Sequence, residues 1–177
     1  KRLPASLAAL DRVLGGMLAE VLKAEKFEGK SGQSSHFYTA GRIPAKRLLV
    51  VGLGPKKELT AESVRRAAAT AVRRARDLGA RIVCTGLLGD GLPGRTLAQA
   101  FVEGAVLGTY TFDRYKREKS DRAVEELSLT EADPRARQAL QEGLRLGEVF
   151  ASATCFARDL VNEPANLVTP SYLAETA

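Results

Sequence analysis

The residues in this chain best able to do chemistry are a glycine pair, a Gly-Lys-Ser triplet, one histidine, two thiols and a run of arginines. Gly52 and Gly54 in "VVGLGP" follow an apolar run and precede a helical pattern, the setting of a dinucleotide-binding turn. That fingerprint needs Gly or Ala at position 57, where Lys57 stands. It also needs an acid at the end of the next strand, which instead runs into Thr85 and Gly86. The pair reads as turn glycines. Gly29-Lys30-Ser31 would suit a phosphate loop only with a glycine five residues earlier, where Ala24 stands, and the segment leaves a helix instead of entering one.

His36 is the only histidine, so neither an HExxH zinc set nor a Ser-His-Asp set can be assembled. Cys84 and Cys155 are too few for a disulfide framework and have no histidine neighbour in sequence to activate them. Glu125 and Glu126 are adjacent in a strand pattern, point to opposite faces and cannot converge on one ion. No catalytic residue and no metal ligand is assigned to this sequence. The arginines remain. Between Arg42 and Arg81 eleven Lys and Arg face three acids, an excess of eight in a chain whose formal net charge is +6. Arg65, Arg66, Arg73, Arg74 and Arg76 are the candidate polyanion-binding residues, with a solvated helix face as the ordinary alternative.

The elements that must carry these residues follow from periodicity. Leu7, Leu10, Leu14, Leu18 and Leu22 form one apolar stripe over 5–25, which predicts a helix in which Gly15-Gly16 forces either a bend or a close approach. Strands are predicted at 36–41, 46–54, 80–88 and 122–130, and helices at 61–78 and 95–109. Thr60 caps the helix over 61–78, whose inner side is expected to hold Val64, Ala67, Ala68, Ala71, Ala75 and Leu78 against a sheet. The strand, helix, strand order from 46 to 88 predicts a βαβ unit with a parallel pair. From Pro134 to about Val161 the pattern is helical and long enough to connect domains. The residue before Pro164 must leave the helical region, and Thr169-Pro170 is a capped helix start. The fold class expected is α/β, with helices on both faces of a mostly parallel sheet.

Composition sets the outer limits. With 45% hydrophobic and 27% charged residues over 177 positions, the chain fits an ordinary globular domain with an appendage. No apolar run approaches the roughly 20 residues of a membrane span, and two distant cysteines suit a reducing, cytoplasmic setting. The first residue is Lys1, and the last capped helix has only about two turns, so both ends are expected to be cut from something longer.

"ARDLVNEPANLVTPSYLAE" at 157–175 resembles the segment with which leucyl aminopeptidases enter their catalytic domain. Upstream, "LDRVLGG", "FEGKSGQ", "AKRLLVVGLGPKKELTAESVRRAA" and "EGAVLGTYTFDRYK" resemble the N-terminal domain of the same family, in the same order. The resemblance implies a three-layer α/β/α macro-domain-like unit over 1–131 whose first strand is missing. A connecting helix over 132–163 and the first residues of a catalytic domain at 164–177 follow. It implies that the complete protein is a two-metal exopeptidase, using two divalent ions (Zn or Mn), that releases N-terminal residues such as leucine. The family's metal motifs, resembling "GKGxxFDSGG" and "NTDAEGRL", do not occur here, so no metal or catalytic residue carries over. Its expected partners are its own catalytic domain and a homohexamer built through that domain, with no membrane. The alternative function is a nucleic-acid-binding accessory module acting through the basic segment 42–81, with DNA as a possible partner. Fold analogy alone adds ADP-ribose at the "GLGP" loop.

Overall fold

The computed structural model describes residues 3–86, 91–118, 122–131 and 133–177. The stripe predicted as one helix is two, α1 (Ala5–Val13) and α2 (Met17–Ala24). Gly15 and Gly16 separate them at φ +66° and +85°, left-handed values that favour glycine. The bend is bonded in place. Gly16 N donates to the Asp11 carbonyl at 2.9 Å, and the Asp11 carboxylate accepts from Ala19 N at 3.1 Å, covering an otherwise free amide of α2. The Arg42 guanidinium donates to the carbonyl of Leu14. Through the bend the stripe survives, and Leu14, Leu18 and Leu22 are buried against Phe37 and Val50.

Phe37 and Val50 belong to β1 (Ser34–Tyr38) and β2 (Arg47–Val51), an antiparallel pair in which Ser35 faces Val50 and Phe37 faces Leu48. Then come α3 (Ala61–Asp77), β3 (Ile82–Gly86), α4 (Gly94–Thr109), β4 (Glu126–Thr130), α5 (Arg137–Asn162) and α6 (Pro170–Thr176). Thr60 caps α3 as expected: its hydroxyl accepts from Ser63 N at 3.2 Å while Ser63 Oγ accepts from Thr60 N at 2.8 Å. The part of the third predicted strand beyond Gly86 lies outside the described residues, as do the first two positions, 89 and 90, of the loop expected before α4.

The architecture is mixed α/β with a long helix near its end, as expected from the sequence. The pairing within the βαβ unit is corrected. Among the described residues β2 pairs with β1, and β3 pairs in parallel with β4, Ile82 facing Glu126 and Gly86 facing Thr130. Residues 39–46 join β1 directly to β2, and short connections favour antiparallel neighbours. At the start of the other pair the Arg81 carbonyl accepts from both Glu125 N and Glu126 N, which fixes the register of β3 on β4.

The inner side of α3 also differs in detail. Val64, Ala67, Ala68, Val72 and Ala75 are buried, and they pack on α4 as well as on β2. Ala71 and Leu78 are only partly covered. Small residues let α3, α4 and α5 approach closely. A Cβ at Gly104 of α4 would lie 2.7 Å from the Cα of Arg65, and one at Gly147 of α5 would lie 2.7 Å from the carbonyl oxygen of Gln99. α5 buries Leu140, Gly143, Gly147 and Ala151, all in its first part. It stops at Asn162 because Glu163, ahead of Pro164, is extended at φ −68° and ψ 148°. Thr169 Oγ1 accepts from Tyr172 N at 3.2 Å and caps α6 as predicted.

Candidate functional site

The five candidate arginines all lie on α3, and the structure gives them different company. Arg65 turns toward α4 and pairs with Glu103, Nε to Oε2 at 2.5 Å; the side chain of Arg65 is 36% exposed and that of Glu103 9%. Gln99 Nε2 donates to the other oxygen of Glu103 at 2.8 Å. Arg65 is thus committed to the α3–α4 contact. Arg66 pairs with Glu62 at 2.8 Å, and that hydrogen bond holds the Glu62 carboxyl below its ordinary value. Arg76 lies 3.4 Å from Asp77. Arg73 and Arg74 are exposed, and neither makes an ion pair among the described residues. Two further arginines serve the C-terminal end of the same helix: Arg47 donates to the carbonyl of Leu78, and Arg122 donates to that of Asp77 at 3.3 Å.

The "GLGP" loop borders an apolar cavity of about 560 Å³, whose walls include Leu7, Leu22, Phe27, Val50 and Leu53. A phosphate cradle needs free backbone amides. Here Gly52 N already donates to the carbonyl of Gln33 at 2.8 Å and Gly54 N to that of Gly29 at 2.9 Å. The side chain of Gln33 organises the neighbouring loop by accepting from Glu28 N at 2.9 Å and Gly29 N at 3.0 Å. His36 is half-buried on β1, Cys84 is exposed, and Cys155 is partly covered. Glu125 pairs with Arg81, a hydrogen bond that raises the guanidinium further above its ordinary value, while Glu126 accepts from Ser128 at 2.7 Å. Among the described residues no three His, Cys, Asp or Glu side chains come together in a way that could hold a metal ion. A two-metal centre therefore does not fit the donors among the described residues.

Sequence reasoning missed a polar cluster between the end of α5 and the irregular segment after α4. Tyr110 donates to Asp159 Oδ1 at 2.7 Å and accepts from Asn162 Nδ2 at 3.2 Å. The Arg158 guanidinium lies 5.4 Å from the centre of the Tyr110 ring. Glu163 accepts from Arg114 on one oxygen and from the Tyr115 hydroxyl on the other. Both phenols titrate above the ordinary tyrosine value. Desolvation leads for Tyr110, followed by its bond to Asp159; for Tyr115 the bond to Glu163 leads. The partners lie 48 to 52 positions apart, and no local signal announces them.

Beyond Ala151 α5 has no fully buried residue, and several large apolar side chains on either side of that point are exposed. Phe150, Phe156 and Val161 are 53%, 50% and 85% exposed, and Leu167, Tyr172 and Leu173 are exposed past the helix end. No helix among the described residues is long and apolar enough to cross a membrane.

A model of the cytosol aminopeptidase family's N-terminal domain matches residues 1–119. The chain is similar to a probable cytosol aminopeptidase of Alkaliphilus oremlandii, 36% identical over 181 residues that cover all of this chain and 36% of the relative. Among solved structures it is similar to a mutant tomato leucine aminopeptidase, with a TM-score of 0.78, 30% identity, and coverage of 97% of this chain and 33% of that one. It is also similar to the bottromycin maturation enzyme BotP in complex with Mn, with a TM-score of 0.71, 35% identity, and coverage of 88% and 31%. The chain spans about a third of the length of the curated relatives it matches.

Proposed function

We propose that this chain, which belongs to the cytosol aminopeptidase family, is the non-catalytic N-terminal unit of an exopeptidase that releases N-terminal amino acids from peptides. In the complete protein two divalent ions, Zn or Mn, would polarise the scissile carbonyl and activate water. Their ligands would come from outside these residues, which offer no suitable donor set among those described. The proposed setting is cytoplasmic, following the relatives' names, and the proposed assembly is a homohexamer built through the catalytic part.

The observation that carries this reading is the exposure of six large apolar side chains between 150 and 173: Phe150, Phe156, Val161, Leu167, Tyr172 and Leu173. Burial of such side chains is worth about 1.5–3 kcal/mol each. Such a concentration of exposed apolar side chains in one segment suits a surface that another unit covers. Val161, Leu167, Tyr172 and Leu173 lie on the segment that resembles the entry to the catalytic domain, so the occupant assigned to these side chains is the protein's own peptidase domain. The test is hydrolysis of a leucine anilide by the 177-residue chain and by the complete protein, each with and without a chelator. Activity is expected only in the complete protein and only without chelator. Chelator-sensitive hydrolysis by the 177-residue chain would overturn the non-catalytic assignment, and an inactive complete protein would overturn the peptidase.

A second reading is favoured by one observation, the exposure of Arg73 and Arg74 without ion-pair partners among the described residues. It assigns α3 a contact with duplex DNA. Each phosphate neutralised contributes about −0.9 to the slope of log affinity against log salt. Replacing Arg73 and Arg74 with Glu should flatten that slope by about two, and an unchanged slope would remove the reading.

A further inference from the structure

We propose that Glu163, Arg114 and Tyr115 form a latch that sets the direction in which the chain leaves α5. The proposal rests on the function given above only for what the latch would position, the peptidase domain; the latch itself stands on geometry. Glu163 is the residue at which the helix turns extended, so its φ and ψ decide where Pro164 and everything after it point. Its carboxylate is shielded although it lies on an exposed turn. The Glu163 side chain is 5% exposed while its cover, Arg114, is 60% exposed. Both oxygens are engaged, one by the guanidinium and one by the Tyr115 hydroxyl, and Phe112 packs against the Tyr115 ring at 5.9 Å between centroids.

These covering groups come from one irregular segment, which a second set of contacts fixes one turn earlier. Tyr110 is held there by Asp159 and Asn162, and Arg158 reaches the carbonyl of Leu107 at 3.4 Å. Positions 158, 159, 162 and 163 recur at helical spacing on one side of α5, so both sets face the same segment. A charged side chain with both oxygens engaged cannot turn away without leaving buried polar groups unpaired. The exit angle is therefore fixed by side chains from another element, in addition to the local restriction ahead of Pro164.

The latch is tested by amide hydrogen exchange on the full chain, comparing wild type with Tyr115→Phe, Arg114→Met and Glu163→Gln. Leu167 N and Val168 N, which donate to the carbonyl of Pro164, report the segment after the latch. Their exchange is expected to quicken at least tenfold in Tyr115→Phe and Arg114→Met, the worth of about one charge-assisted hydrogen bond. Amides of β1 and β2 should be unaffected. Should Arg114→Met loosen the whole fold, Tyr115→Phe still decides, because Tyr115 is 57% exposed and the substitution keeps the ring and removes only the hydroxyl bonded to Glu163. The combination of Tyr115→Phe with Glu163→Gln should be less than additive. Unchanged exchange at Leu167 and Val168 in both single variants, or strict additivity in the pair, would overturn the latch. Peptidase activity is not read, so this failure is distinct from failure of the proposed function.

Discussion

Arg65 and Glu103 allow a test of whether the cost of breaking a buried pair lies with the charge left behind. Arg65→Met keeps most of the side-chain stem on α3 but leaves the Glu103 carboxylate, 9% exposed, with only the neutral amide of Gln99 at 2.8 Å. Breaking a buried pair in this way costs 3–5 kcal/mol, and the retained amide places the expectation at about 3 kcal/mol. Glu103→Gln is nearly isosteric and leaves the charge on Arg65, which is 36% exposed and lies 3.6 Å from Glu62. That arginine can rehydrate or lean on Glu62, so the expected loss is about 1 kcal/mol. The assay is urea unfolding at neutral pH with the slope checked for constancy, because a changed slope would report a changed denatured state. In thermal melts, at about 2–4 °C per kcal/mol for a chain of this size, Arg65→Met should lose about 6–12 °C and Glu103→Gln about 2–4 °C. Equal losses, or the larger loss in Glu103→Gln, would refute the claim that the stranded carboxylate sets the cost.

Three further outcomes follow from the same structure. Gly104→Ala should destabilise by about 1 kcal/mol in urea, since overpacking costs about 1–3 kcal/mol against about 1 kcal/mol of helix preference; a net gain would mean that α3 moves away freely. The new Cβ would overlap the Arg65 carbonyl oxygen and begin 2.7 Å from its Cα, so α3 must back away by more than the few tenths of an ångström that the Cα alone requires. Thr60→Ala should cost about 1 kcal/mol through loss of the capping box, while Thr60→Ser should be nearly silent in the same denaturation assay. Tyr110 and Tyr115 both titrate above the ordinary tyrosine value. A raised folded value means that their stabilisation is fully present below the unfolded value near 10 and is lost as pH rises through the folded one. Tyrosinate absorbance should therefore show a late component that Tyr110→Phe and Tyr115→Phe each reduce, and simultaneous titration of all four tyrosines would contradict it.

What was legible in the sequence is what a few adjacent residues decide. Thr60 and Thr169 cap their helices through amides three positions on, and Pro164 ends α5 by constraining its immediate neighbour. Gly15-Gly16 announced a disturbance but not its form, because a bend and a close helix contact use the same residue. The pairing of β3 depends on β4, which lies beyond α4, and periodicity within a strand carries no record of which edge it meets. Glu103 was invisible as a partner of Arg65 for a similar reason: 38 positions separate them, and on a wheel of α3 alone Arg65 falls among the solvated arginines. Val72 falls outside the alanine stripe on that wheel, and it is the contact with α4 as well as β2 that widens the buried side of α3 to include it.

The anchoring of α5 has a mechanical consequence. Its last buried residue is Ala151, and the helix runs on to Asn162, about 16 Å farther at 1.5 Å per residue. The helix is thus a lever with its fulcrum at Gly143 and Gly147, where it touches the backbone of α4. A tilt of about 5° at Gly147, about 22 Å from Asn162 at 1.5 Å per residue, moves the far end by about 2 Å, enough to misplace whatever follows it. A methyl group added at Gly147 would therefore lower the stability of the α4–α5 contact and, through the lever, also change the direction in which the chain leaves α5.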